Sequence, residues 1–244
     1  MPTASLIVAA GGRGERFAGP GARLGEGGPR TKIFAPLAGR PVLARTLESL
    51  ARVAAIAEAV VAVPAFALGE ARQTFGDRLG GDRPLKFVAG GENRLDSVAA
   101  ALAATDPGTE LVIIHDAVRP LIRAAVVEEA MRVAVEHGAA VVGRPVDHTV
   151  KRVPDGRKVA ETVARQLLWL AQTPQVFRRE VITQAYARRA EVVGKVTDDA
   201  QLVEAMGREV VMVPGDAANF KITTPEDLRM CEAILAAGWP FGEG

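Results

Sequence analysis

Residues 6–32 read LIVAAGGRGERFAGPGARLGEGGPRTK, a short apolar run that breaks into a glycine-rich stretch carrying five basic residues. In an open parallel sheet, ligands bind beyond the carboxyl ends of the strands, where a glycine-rich turn lets backbone N–H groups approach phosphates. Runs rich in Val, Ile and Leu repeat the strand signal at 59–64, 85–90, 110–116, 139–146 and 209–215. Between them, segments starting at Pro41, Ser97 and Arg123 carry apolar residues at helical spacing. The alternation predicts an α/β fold, a three-layer Rossmann-like and mostly parallel sheet with helices on both faces.

Two helix starts are legible. Thr224 caps ahead of Pro225, with Glu226 and Asp227 in the first turn and Gly238 at the stop. Thr197 and Asp198 open a second helix that ends before Gly207. Residues 147–177 break the pattern: two alternating segments flank Pro154-Asp155-Gly156, which reads as a projecting hairpin. With no repeat and no linker, the expectation is a single domain over 1–244 with an inserted arm at about 147–177.

Thirty Lys and Arg against twenty-nine Asp and Glu give a net charge of +1, which is no footprint for nucleic acid or an anionic membrane surface. An anion site must therefore be local. Cys231 is the single cysteine, no Cys/His cluster has zinc spacing, and the amino terminus lacks the basic region of a signal peptide. These point to the cytoplasm. The most apolar stretch, 49–69, contains Arg52, Glu58 and Pro64, against a spanning helix.

The opening loop has several readings. A dinucleotide site needs a third glycine where Phe17 stands, and a P-loop needs Lys before Ser or Thr, whereas here Thr31 precedes Lys32. A nucleotidyltransferase loop, with backbone amides, Arg16 and Lys32 around a triphosphate, fits better. A solvated loop without ligand has the same composition.

Further stretches narrow the choice. AAGGRGERF followed by TKIFAPLAGRPVLARTLESL resembles the signature of nucleotide-sugar and nucleotide-polyol pyrophosphorylases. With GGENRLDSV (90–98), IHDAVRP (114–120), LAQTPQVF (170–177), TDDA (197–200) and NFKITTPEDL (219–228), nearly the whole chain resembles the 2-C-methyl-D-erythritol 4-phosphate cytidylyltransferase family. The resemblance implies transfer of CMP from CTP to methylerythritol phosphate, releasing pyrophosphate, in non-mevalonate isoprenoid synthesis. It places Ala9, Ala10, Gly11, Gly14, Arg16 and Lys32 on the triphosphate and Gly91, Glu92 and Ser97 on cytosine and ribose. Asp116 would hold Mg²⁺, with Ala117 and Arg119 at the same edge. Lys221 and Thr223 would meet the phosphates, and Thr149 and Arg165 would bind methylerythritol phosphate across a homodimer interface. Arg16, Lys32 and Lys221 would be catalytic.

The chain departs from the family pattern in three places. The loop before Lys32 is longer than usual, Arg13 competes with Arg16 for the catalytic place, and Ala218 stands where an acidic residue is common. A second magnesium carboxylate is then absent or supplied by Asp216. Structural roles compete as well: Asp116 as a loop cap, His115 as a hydrogen-bonded structural residue, Arg165 as a surface arginine, Trp169 as core. Lys221, between Phe220 and Ile222, reads as the outward residue of a short strand. Ribitol-phosphate cytidylyltransferase and a non-catalytic nucleotide-binding module are the alternative functions; the joint presence of Arg16, Lys32, Asp116 and Lys221 argues against the second.

Overall fold

The computed structural model of the chain describes residues 2–11, 31–192 and 196–238. Gly14, Arg16 and the competing Arg13 lie outside the described residues.

Seven strands form the central sheet: β1 (Ala4–Ala9), β4 (Ile56–Val63), β5 (Leu85–Ala89), β6 (Leu111–Asp116), β7 (Ala139–Pro145), β10 (Trp169–Arg178) and β11 (Val211–Pro214). Two short pairs complete the strands: β2 (Pro36–Leu37) with β3 (Arg40–Pro41), and β8 (Val150–Arg152) with β9 (Glu161–Val163). The sheet order is β11-β7-β10-β6-β1-β4-β5, parallel throughout except that β10 runs antiparallel to both neighbours. The expected mostly parallel sheet is therefore present. Its central strands are buried on both faces, which is why LIV, VVAV and LVII read as continuous apolar runs rather than alternating ones.

Helices cover both faces. On one lie α1 (Val42–Ala51), α2 (Leu68–Phe75), α4 (Ala124–His137) and α7 (Pro225–Ala236), on the other α3 (Arg94–Ala103), α5 (Arg179–Ala187) and α6 (Ala200–Ala205). The face of α1 shows the rule: Val42, Leu43, Leu47 and Leu50 recur at helical spacing and are buried. Helix α4 ends at Gly138, whose φ of +94° suits a residue without Cβ and whose N–H bonds the Ala134 carbonyl. Helix α7 has a full capping box: Thr224 accepts from the Asp227 N–H while Asp227 accepts from the Thr224 N–H. Helix α6 starts later than Thr197 suggests, although the Asp198 carboxylate does accept from the Gln201 N–H.

Two segments and one side chain differ from the sequence reading. Residues 169–178 form β10, wedged between β7 and β6 in the main sheet, so the two-stranded ribbon of β8 and β9 is narrower than 147–177. Pro174 hid this strand, because proline cannot donate to a ladder. The register with β7 does slip between Ala171 and Gln175. Trp169 is not core but more than a third exposed. Residues 219–223 are not a strand. No helix among the described residues is long and apolar enough to cross a membrane.

Candidate active site

Strand β1 pairs with β4 on one side and β6 on the other, so chain order reverses beside it. Such a switch point opens a crevice at the carboxyl ends of the strands. Here the last registered pair is Ala9 with Asp116, and the Ala117 N–H continues the contact to the Ala9 carbonyl at 3.1 Å. The antiparallel course of β10 brings Ala171, Gln172, Thr173 and Gln175 to the same edge. A cavity of about 260 Å³ opens there, lined also by Arg94, Asp116, Arg119, Thr197, Asp198 and Lys221.

Asp116 is its centre. The carboxylate lies 3.0 Å from Lys221 Nζ, 3.2 Å from Arg119 Nε and 3.6 Å from Arg94 Nε. Burial pushes its pKa up, but Lys221, Arg94 and Arg119 outweigh that and hold it well below the usual carboxylate range. The cavity lining carries three cations, Arg94, Arg119 and Lys221, against two carboxylates, Asp116 and Asp198, a local basic excess in a chain of near-zero net charge. Arg94 also reaches Asp199 at 2.7 Å, and the buried Asp199 accepts from the Tyr186 hydroxyl.

The 219–223 segment is threaded rather than laddered. Asn219 is fully buried and donates to the Gln172 side chain and the Thr173 carbonyl, while its own carbonyl accepts from Arg119. The Ile222 N–H bonds the Val118 carbonyl and Asp227 takes the Thr223 N–H. These anchors bury Ile222 and aim the partly exposed Lys221 at Asp116. Thr223 donates to the Lys221 carbonyl. Lys32, at the start of a 3₁₀ turn, donates to the Ile222 carbonyl at 3.1 Å. The two lysines are thus joined through one segment.

His115 is fully buried beneath Asp116, and burial, the largest influence, pushes its pKa down to about 4. Its ring is bonded at both nitrogens, to Thr173 and to the Arg119 carbonyl. A neutral ring with both nitrogens engaged has no role as a general base, in keeping with the structural reading.

The glycines at the crevice make room for backbone, not side chains. A Cβ at Gly11 or at Gly90 would stand 2.7 Å from Ser97 Oγ, and one at Gly91 2.3 Å from Asp96 Cβ. Ser97 itself is buried and donates to the Asn93 carbonyl, so it seats the ends of β1 and β5. Glu92 is exposed above it. Ala10 is held by its N–H to the Ala62 carbonyl.

A family model described as 2-C-methyl-D-erythritol 4-phosphate cytidylyltransferase (IspD) matches residues 5–237. The chain belongs to that family. A family member from Pelotomaculum thermopropionicum is 38% identical over 237 residues, covering 97% of this chain and 96% of its own. One from Deinococcus radiodurans is 41% identical over 245 residues, covering 99% and 94%. Among solved structures, the 2-C-methyl-D-erythritol 4-phosphate cytidylyltransferase of Thermus thermophilus is 34% identical with a TM-score of 0.73, over 97% of this chain and all of that one. The 4-diphosphocytidyl-2C-methyl-D-erythritol synthase of Anaerococcus prevotii is 29% identical with a TM-score of 0.79, over 96% and 99%. IspD proteins are nucleotidyltransferases, and the fold matches theirs.

Of the residues singled out from the IspD resemblance, the structure gathers Asp116, Arg119 and Lys221 directly, and Lys32 and Thr223 through the 219–223 segment. Thr149 and Arg165 do not line the cavity; both are exposed beside the ribbon, where Arg165 donates to the Asp147 carbonyl. Asp216 is paired with Arg123 and accepts from the Ala218 N–H, away from the cavity lining. Sequence reading missed Arg94, Thr173 and Asp199, although each sits inside a quoted motif. Among the described residues no three His, Cys, Asp or Glu side chains form a ligand group. Asp116, with Asp198 in the same cavity lining, suits a Mg²⁺ that arrives on a nucleotide, because Mg²⁺ is commonly held by one or two carboxylates plus substrate phosphates.

Proposed function

We propose that the chain transfers CMP from CTP to methylerythritol 4-phosphate in the cytoplasm, releasing pyrophosphate, as a step in isoprenoid precursor synthesis. Support comes from family membership and from one observation above others, the convergence of Lys221, Arg119 and Arg94 on Asp116 at the switch point. The nucleophile is a phosphate monoester, largely dianionic at neutral pH because its second pKa is about 6, so no general base is required. Its oxygen forms a bond to the α-phosphorus of CTP while the bond to the bridging oxygen breaks and pyrophosphate departs. The obstacle is bringing one polyanion to another, and the enzyme's task is neutralisation and in-line positioning.

Lys32 and Lys221 serve charge on the reacting phosphates, with Arg16 contributing from the glycine-rich loop. Arg119 and Thr223 flank the acceptor phosphate. Asp116 would hold Mg²⁺, which supplies charge neutralisation on the triphosphate when bound. Ala9, Ala10, Gly11, Gly14 and Ala117 present backbone to the nucleotide. Gly91 and Glu92 face cytosine and ribose, and Ser97 supports them from below.

The acceptor site is completed by a second chain. Leu167 is 91% exposed and Leu170 51%, beside partly exposed Val153, Leu168 and Trp169. Apolar side chains so displayed at the start of β10 and beside the ribbon mark a surface that a partner covers. A homodimer through 147–177 would carry Thr149 and Arg165 to the partner's crevice. The test is pyrophosphate release with CTP or UTP against methylerythritol phosphate or ribitol phosphate, with Mg²⁺ and with chelator. Release chiefly with CTP and methylerythritol phosphate supports the reading; release with ribitol phosphate alone replaces it.

A further inference from the structure

We infer that His115 and Thr173 form a positioning pair for CMP transfer, fixing Asp116 and Arg119 through a hydrogen-bond chain of one polarity. The inference rests on the functional reading above for its kinetic arm only. The Asp116 backbone N–H can only donate, and it bonds Thr173 Oγ1 at 3.0 Å. The Arg119 carbonyl can only accept, and it lies 3.1 Å from His115 Nε2. Nε2 therefore carries a proton. The ring is fully buried between a hydroxyl and a carbonyl with no carboxylate bonded to it, an environment for the neutral imidazole. Nδ1 is then a bare acceptor, and the Thr173 hydroxyl donates to it across 3.1 Å. The order is Asp116 N–H to Thr173 O–H to Nδ1, and Nε2–H to the Arg119 carbonyl.

The consequence lies in what the two ends hold. The Arg119 N–H closes a turn on the Asp116 carbonyl at 3.2 Å, and the pair clamps that turn from beneath at both termini. The Asp116 carboxylate and the Arg119 guanidinium, 3.2 Å apart, stand on the turn's upper side facing the cavity. His115 is fully buried, and Thr173, which reaches the cavity edge, spends its hydroxyl on the Asp116 N–H and on Nδ1; the pair acts through Asp116 and Arg119. Threonine is suited to the middle position because its hydroxyl donates and accepts at once while its methyl group restricts χ1.

Two measurements decide it. First, ¹⁵N-detected NMR of the intact protein labelled at histidine should give a His115 ring protonated at Nε2 alone at neutral pH; a ring protonated at Nδ1, or at both nitrogens, would overturn the inference whatever the enzyme's substrates prove to be. Second, Thr173→Val keeps the shape and deletes the hydroxyl. It should lower kcat by about 10- to 100-fold, the range typical of groups that orient active-site ligands, with KM for CTP little changed. Thr173→Ser should recover most of kcat. A folded Thr173→Val protein with parental kcat, or a Ser variant no better than Val, would contradict it. If the parent releases no pyrophosphate, the functional reading fails and the NMR result still stands on its own.

Discussion

Lys221 Nζ lies 3.0 Å from Asp116 Oδ2, and the segment that carries Lys221 also accepts Lys32 on the Ile222 carbonyl. The carboxylate thereby holds one lysine in place and the backbone beside it holds the other. Replacing either lysine by alanine should lower kcat by about 10²-fold or more, the scale of losing a charge-stabilising donor. The Lys221 side chain is 38% exposed, and Asp116, though only 7% exposed, keeps Arg119 and Arg94, so losing Lys221 should cost folding less than the roughly 3–5 kcal/mol of stranding a buried charge. Pyrophosphate assays and melting curves on Lys32→Ala and Lys221→Ala separate the two effects; near-parental turnover in either would remove it from the mechanism.

His115 makes a prediction about pH. Its pKa falls from 6.5 unfolded to about 4 folded, burial being the main cause. Between these values the unfolded chain binds the proton more readily, so acidification from 6.5 towards 4 removes stability, by up to about 1.4 kcal/mol per pH unit. The lowered pKa of Asp116 acts in the same sense further down: its contribution is present above the ordinary carboxylate range and is lost as pH falls through and below it. Urea unfolding across pH 4 to 7 should therefore show a shallower dependence for His115→Gln than for the parent. Equal slopes would mean that His115 titrates normally.

Arg94 shows why part of the site was legible and part was not. The strands that build the crevice announce themselves, because strands buried on both faces must be apolar along their length, and IHDAVRP places Asp116 at the end of one. Arg94 and Asp199 stand in quoted motifs too, yet nothing local says that an arginine opening α3 will reach a carboxylate at the start of α6 as well as one ending β6. That meeting is a product of sheet order. Strand β10 escaped for a similar reason, since Gln172, Thr173 and Pro174 look like turn residues until the antiparallel course between β7 and β6 is known. What Lys221 faces was not legible, because Asn219 and Asp227 pin its segment by hydrogen bonds instead of a ladder.

The Arg94 pairing should carry a large stability effect. Asp199 is fully buried and its Oδ2 lies 2.7 Å from Arg94, so Arg94→Ala strands a buried charge and should cost about 3–5 kcal/mol. Adding Asp199→Asn should recover part of that loss. Denaturant midpoints of the two variants test this, and a cost below about 1 kcal/mol for Arg94→Ala would show the pair to be solvated.

The exposed apolar side chains at the start of β10 predict assembly. Leu167→Glu together with Leu170→Glu should shift the protein from dimer to monomer in sedimentation velocity and lower turnover, because Thr149 and Arg165 would no longer reach a neighbour's crevice. A parent that is already monomeric while fully active would discard the shared acceptor site.

The most direct measurement follows phosphorus through the reaction. ³¹P NMR of the enzyme with CTP, methylerythritol 4-phosphate and Mg²⁺ should show the monoester resonance of the acceptor disappear as a coupled pair of diphosphate resonances and free pyrophosphate grow in equal amounts. An acceptor resonance that persists, with CTP intact or merely hydrolysed to CMP and pyrophosphate, would contradict the assignment of this crevice as a cytidylyltransferase site.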